Sequence, residues 1–205
     1  MKNIFLKITF AIITIGSFIS CDVSETDIPK VFNYAFNEGF STCTTGSGAV
    51  EVPITLTGWV NHNATATRLW HARVFTNDTY AEFSSFYSVP GTNDVAWLIT
   101  PAIDLTSTTG EILSFTTKTR FSNGYPLKAF ISTNYDGSTA GISTAIWTPL
   151  TFATPSADDV IVSSGNIDIS AYNSNNVRIA FKYTGSKTGG VTTTCQLDNV
   201  KINKN

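Results

Sequence analysis

An all-β fold, two antiparallel sheets packed face to face, is what this 205-residue sequence predicts. Three observations carry that expectation. Apolar residues recur at every second position in several short runs, the period of a strand with one buried face. Turn-forming pairs separate those runs: Pro90-Gly91, Asn123-Gly124, Asp136-Gly137 and Gly189-Gly190. Charged residues make up only 14% of the chain while Thr and aromatic residues are frequent, which favours strands over amphipathic helices.

In chain order, Lys2 and Lys7 precede and interrupt an apolar run from Ile4 to Ile19, which ends Phe18-Ile19-Ser20-Cys21. A basic start, an apolar stretch and a small residue directly before a cysteine read as a lipoprotein signal, residues 1–20, with Cys21 the acylated first residue of the mature chain. An ordinary cleaved signal fits less well, because Phe18 is too large for a cut after Ser20. A membrane-spanning helix fits less well too, because the run is short and holds Lys7. Residues 22–30 are polar and acidic and read as a tether following the lipidated cysteine. The remainder, 31–205, suits a single domain.

Within that domain Phe32, Tyr34 and Phe36 alternate in a first strand. Leu113, Phe115, Thr117, Thr119 and Phe121 share one face of another, and Val177, Ile179, Phe181 and Tyr183 one face of a third. Further strands are expected over 54–60, 68–74, 80–87, 96–100, 127–133, 145–152 and 194–202. The net charge of -2 and the scattered Lys and Arg give no basis for nucleic-acid binding. Besides Cys21 the chain has Cys43 and Cys195, and an oxidising compartment permits a disulfide between them. The competing reading is two separate buried thiols.

A set of motifs then falls in order. Trp97-Leu98-Ile99-Thr100-Pro101-Ala102-Ile103-Asp104-Leu105 is preceded by Phe36-Asn37-Glu38-Gly39-Phe40 and Gly58-Trp59. It is followed by Leu113-Ser114-Phe115, Ile131-Ser132-Thr133-Asn134-Tyr135-Asp136-Gly137, Trp147-Thr148-Pro149-Leu150 and Leu197-Asp198-Asn199-Val200-Lys201-Ile202. This series resembles the choice-of-anchor J and cleaved-adhesin domains, MAM-like jelly-roll modules of bacterial surface proteins. The resemblance implies a jelly-roll (MAM-like, galactose-binding-like) sandwich and an adhesion or glycan-binding context, with no single ligand. It also implies that Glu38 and Asp198 lie together where the first and last strands meet, with Asn37 a third candidate ligand for a structural Ca2+. Against that stands a plainer role for both carboxylates, Glu38 accepting backbone N–H bonds and Asp198 capping a turn.

Aromatic rings stack on sugar faces, so Trp70, His71, Tyr87, Tyr125, Tyr135 and Trp147, in or beside polar, turn-rich segments, are the candidate ligand contacts. Packing is the competing role for each, and Trp59 and Trp97 are assigned to the core. Two histidines without HExxH spacing, no G-x-S-x-G elbow and five scattered glutamates give no catalytic constellation. The expected protein is a non-catalytic, exported lipoprotein of the outer membrane, cell surface or periplasmic face of a Gram-negative bacterium. It touches the membrane through its lipid anchor only and binds a glycan or a surface protein. The alternatives are an assembly component docking a partner protein and, more remotely, a glycoside hydrolase or esterase.

Overall fold

The computed structural model describes residues 33–204; the signal, Cys21, the tether and Phe32 of the expected first strand lie outside the described residues. Twelve strands are present among them. The first six are β1 (Tyr34–Glu38), β2 (Val60–Asn63), β3 (His71–Phe75), β4 (Asp78–Phe83), β5 (Asn93–Ile99) and β6 (Ile112–Arg120). The others are β7 (Leu127–Ser132), β8 (Thr148–Leu150), β9 (Val162–Ser163), β10 (Ile167–Asp168), β11 (Arg178–Ser186) and β12 (Thr194–Asn203). They form two antiparallel sheets. One runs β10-β6-β12-β4-β3, with β9 also on β6 and β1 also on β12; the other runs β2-β5-β11-β7-β8.

Strand alternation builds the core. In β6, Leu113, Phe115, Thr117 and Thr119 are buried and their neighbours half-exposed, as the period of two requires. Across the sandwich, Ile179, Phe181 and Tyr183 of β11 come from the facing sheet. Phe115 meets Phe181 edge-on at 5.0 Å, and Phe83 of β4 lies 4.6 Å from Tyr183. Each such ring, fully buried, contributes about 1.5–3 kcal/mol through area removed from water.

The strands differ from expectation in four places. Phe121 leaves the β6 face: its backbone is left-handed at φ 54° and its ring is 74% exposed. Residues 54–60 do not form a strand; Pro53 makes only an isolated bridge to His71, and Gly58, at φ 77°, turns the chain before β2 begins at Val60. The expected strand through Tyr87 stops at Phe83, because the Ser84 hydroxyl accepts the Phe86 N–H and starts a 3-10 turn over Ser85–Tyr87. The outer face of β11 is also not open throughout. Ala180 is covered by a second apolar cluster of Trp97, Ile99, Tyr135 and Ile142, with Trp147 and Phe130 against it.

Cys43 and Cys195 are free thiols, which corrects the expected bridge. Cys195 lies in the half of β12 that pairs with Phe83 and Thr119. The chain reaching Cys43 comes from β1, which lies beside the other half of β12, at Val200–Asn203. The carboxylate felt by Cys43 is Glu38, and that felt by Cys195 is Glu82, so the two thiols occupy different surroundings. Burial pushes both up and so disfavours the thiolate form.

Candidate functional site

The outward side chains of the seven-stranded sheet follow from register. His71 pairs with Glu82, Glu82 with Gln196 and Gln196 with Lys118, so these four form one row across β3, β4, β12 and β6. Two residues further along each strand, Arg73 pairs with Tyr80 and Asp198 with Thr116. Arg73, Tyr80 and Glu82 of these rows line an open groove of about 750 Å3, and Thr116, Lys118, Gln196 and Asp198 line a smaller recess that shares Phe75 and Tyr80 with it.

The floor is polar and internally bonded. Gln196 Nε2 donates to Glu82 Oε2 at 3.0 Å, and Arg73 Nε lies 3.6 Å from Glu82 Oε1. Arg68 is paired with Glu51 and lies over the Tyr87 ring at 5.4 Å. Arg120 holds Asp159 at 3.0 Å and covers Phe121 at 5.1 Å. Beneath them His71 is buried, its Nε2 3.5 Å from Glu82 and 3.8 Å from Glu51, and neither ring nitrogen makes a hydrogen bond among the described residues. Burial works to raise the Glu82 carboxyl. The His71 imidazole, the Gln196 amide and the Arg73 charge together outweigh that and hold it below the usual carboxylate range.

The rim is aromatic. Phe75, Tyr87 and Phe121 are 68%, 70% and 74% exposed. Phe75 ends β3 just before a two-residue hairpin turn, Thr76 and Asn77, both at positive φ. Tyr87 is carried by the 3-10 turn, and Phe121 by the left-handed residue that ends β6.

Of the residues proposed from sequence as sugar contacts, only Tyr87 is exposed. Trp70 is fully buried with its Nε1 donating to Ala96 O at 3.3 Å, and His71 lies under the floor. Tyr135 is buried with its hydroxyl donating to Ser138 O at 2.9 Å. Tyr125 is half-buried against the main core, and Trp147 half-buried against Trp97, with Nε1 donating to Ile142 O at 3.0 Å. Trp70, His71 and Tyr135 are therefore corrected to buried roles: alternation turns Trp70 inward, His71 on the outward face is covered with Glu51 and Glu82 against it, and a cap over the second sheet encloses Tyr135. Phe75, Phe121, Arg73, Glu82 and Gln196 were not singled out. Parity along β3 and β4 would have marked Phe75, Arg73 and Glu82 as outward partners.

Glu38 and Asp198 do lie near one another. The Asp198 carboxyl is pushed up to about 6, first by burial and then by the Asp78 and Glu38 charges, against a backbone bond from Asn199 and the Lys201 charge. Both carboxylates also have local duties: Glu38 Oε1 accepts the Phe40 N–H at 2.6 Å, and Asp198 Oδ1 accepts the Asn199 N–H at 2.6 Å. Asn37 does not join them, because alternation along β1 turns it to the opposite face from Glu38. Among the described residues no group of three His, Cys, Asp or Glu side chains is placed to hold a metal. The fit is therefore partial: two carboxylates short of positive charge, without a third protein side chain.

No protein-family model matches the chain, and no curated protein matches it by sequence. Among solved structures it is similar to the K1 cleaved adhesin domain of Lys-gingipain from Porphyromonas gingivalis W83, with TM-score 0.50 and 17% identity over 83% of this chain and 98% of that one. The fold is a jelly roll. The K3 cleaved adhesin domain of the same protein matches with TM-score 0.48 and 16% identity over 83% of this chain and 99% of that one. The CBM22-1 xylan-binding domain of Paenibacillus barcinonensis Xyn10C matches with TM-score 0.43 and 11% identity over 84% of this chain and 95% of that one. At these identities the likeness concerns the fold, and it does not single out the choice-of-anchor J family.

Proposed function

We propose that this jelly roll is a non-catalytic binding module whose ligand is a glycan, held in the groove on the outer face of the seven-stranded sheet. The observation that carries the reading is the pairing of an exposed aromatic rim with a bonded polar floor: Phe75, Tyr87 and Phe121 over Glu82, Gln196 and Arg73. Flat rings fit the apolar faces of sugar rings, and fixed amide, carboxylate and guanidinium groups fit their hydroxyls. The two glutamates near His71 are poorly suited to hydrolysis. A glycosidase needs one carboxyl raised to act as an acid, whereas Glu51 is ion-paired with Arg68 and Glu82 is held low.

A glycan array probed with the purified chain tests this. Binding to one glycan class, lost in Tyr87→Ala and Gln196→Ala but kept in Tyr135→Phe, is the expected result. A folded chain that binds no glycan overturns it. A protein partner is the second reading, favoured by the exposed apolar Phe86 and Val89 beside Tyr87. It expects capture of a partner protein that Phe86→Ser abolishes.

Acylation at Cys21 would hold the module on a membrane, and mass spectrometry of the membrane fraction, before and after Cys21→Ser, tests it. Calcium at Glu38 and Asp198 would neutralise the crowding that raises Asp198. It is expected to raise the melting temperature of the parent chain and not of Asp198→Asn.

A further inference from the structure

The five-stranded sheet also has an outward face, and its chemistry is different. Register aligns His62 with Trp97, Trp97 with Lys182 and Lys182 with Lys128 across β2, β5, β11 and β7. Neighbouring strands are about 4.8 Å apart, so this row spans about 14 Å. Lys128 is exposed, and Lys182 and His62 are half-exposed.

Three observations set the row apart. Lys182 and Lys128 are directly opposed across an antiparallel pair, where like charges destabilise a sheet. Neither forms a salt bridge among the described residues, and the Lys182 ammonium lies instead 5.0 Å over the Trp97 ring. By the parity of the paired strands, no Asp or Glu points outward from β2, β5, β11, β7 or β8. Asp136, in the loop after β7, answers Arg178 further along the face. On the groove side Arg68, Arg73 and Arg120 each have a carboxylate partner, and Lys118, also over rings, has no second lysine opposite it. Two lysines opposed in register with no outward carboxylate on their own sheet, in a chain of net charge -2, make a surface complementary to an anion from outside.

We propose that the His62–Trp97–Lys182–Lys128 row is a second binding site, for a linear acidic glycan. The two ammonium groups bracket one carboxylate or sulfate. Phe130 and Trp147, half-exposed against Trp97, offer apolar surface beside them for the sugar that carries it. The row's length and direction fit an extended polymer crossing the strands. The site is independent of the groove, because it lies on the other sheet.

The test uses the full chain with Cys21→Ser, so that acylation cannot contribute, and four probes: dextran sulfate, polygalacturonate, neutral dextran and phosphatidylglycerol vesicles. Binding to at least one of the two acidic glycans is expected, weakening at least about 10-fold between about 50 and 200 mM salt, with none to neutral dextran. Which of the two binds tells sulfate from carboxylate recognition. Lys128→Gln with Lys182→Gln should weaken it about 10-fold, Lys128→Arg with Lys182→Arg should retain it, and Lys187→Gln, an exposed lysine elsewhere, should leave it unchanged. Tyr87→Ala should also leave it unchanged, so failure of the groove and failure of this site are told apart. Binding to vesicles but to neither acidic glycan, no binding at all, or binding indifferent to the double Gln variant would each overturn the proposal. The double Gln variant removes a repulsion, so retained melting temperature checks that any loss is local.

Discussion

At Phe121 a bulky residue holds φ 54°, a conformation that costs a non-glycine residue about 1 kcal/mol or more, while its ring stands 74% exposed over the groove. Stability alone would favour Asn or Gly there. Phe121→Asn should therefore leave the melting temperature equal or higher while weakening glycan binding several-fold. A variant that loses stability and keeps its binding would remove Phe121 from the site. Asp198 behaves in the opposite sense to a paired carboxylate. Its folded value, about 6, exceeds the ordinary value of 3.8, so the folded state holds the proton more tightly than the unfolded one. Stability attributable to this group is then greatest below about pH 4 and declines as pH rises through 6. Asp198→Asn should raise stability at pH 7 by on the order of 1 kcal/mol, and the gain should shrink toward pH 4. Chemical denaturation at the two pH values measures it; an equal effect at both would rule out titration of this carboxyl as the cause.

At the scale of the element, the β7–β11 ladder allows a direct measurement of the opposed lysines. Lys128→Glu creates an attractive cross-strand pair with Lys182 and should stabilise the protein by about 0.2–1 kcal/mol relative to the parent. The same substitution should abolish acidic-glycan binding, so that stability and binding move in opposite directions. The long strands were legible in the sequence because period-two patterning survives over their length: Leu113 to Thr119 in β6 and Ile179 to Tyr183 in β11. The two-residue β9 and β10 carry too little pattern to register as strands. The segment around Ile54 reads as a strand from its apolar residues, yet Gly58 and Pro53 limit it to one bridge. The groove was less legible. Trp70 and Tyr87 both lie in polar surroundings of the sequence, and what separates them is where the facing sheet falls. That depends on strands far away in the chain.

At the scale of the whole molecule, one core between two sheets carries most of the stability. Phe181→Ala opens a cavity between β11 and β6 and should cost about 3–5 kcal/mol, seen as a lower denaturation midpoint with an unchanged slope. Trp147→Ala removes one wall of the smaller outer cluster and should cost less, since that ring is only half-buried. The two outward faces differ in electrostatics: arginines paired with carboxylates line the groove on one, and two opposed lysines without carboxylates lie on the other. Composition alone averages these to a net charge of -2 and hides the difference.

The ladder that joins β1 to β12 has a consequence for how quickly the domain forms. Glu38 faces Val200, and the Lys204 N–H donates to Asn33 O at 2.9 Å, so the first and last described segments meet only after nearly the entire intervening chain has been gathered in. Closing so wide a loop is entropically costly, and contacts of large sequence separation form slowly. β1 should accordingly dock late, and destabilising substitutions within it should quicken unfolding with little effect on the refolding rate. A circular permutant that fuses residue 204 to residue 33 through a short linker and opens at the 188–190 turn turns this distant pairing into a local one. With β1 docking after the barrier, it should refold at close to the parent's rate, and stopped-flow refolding that was much faster would show instead that the meeting of the ends limits the rate.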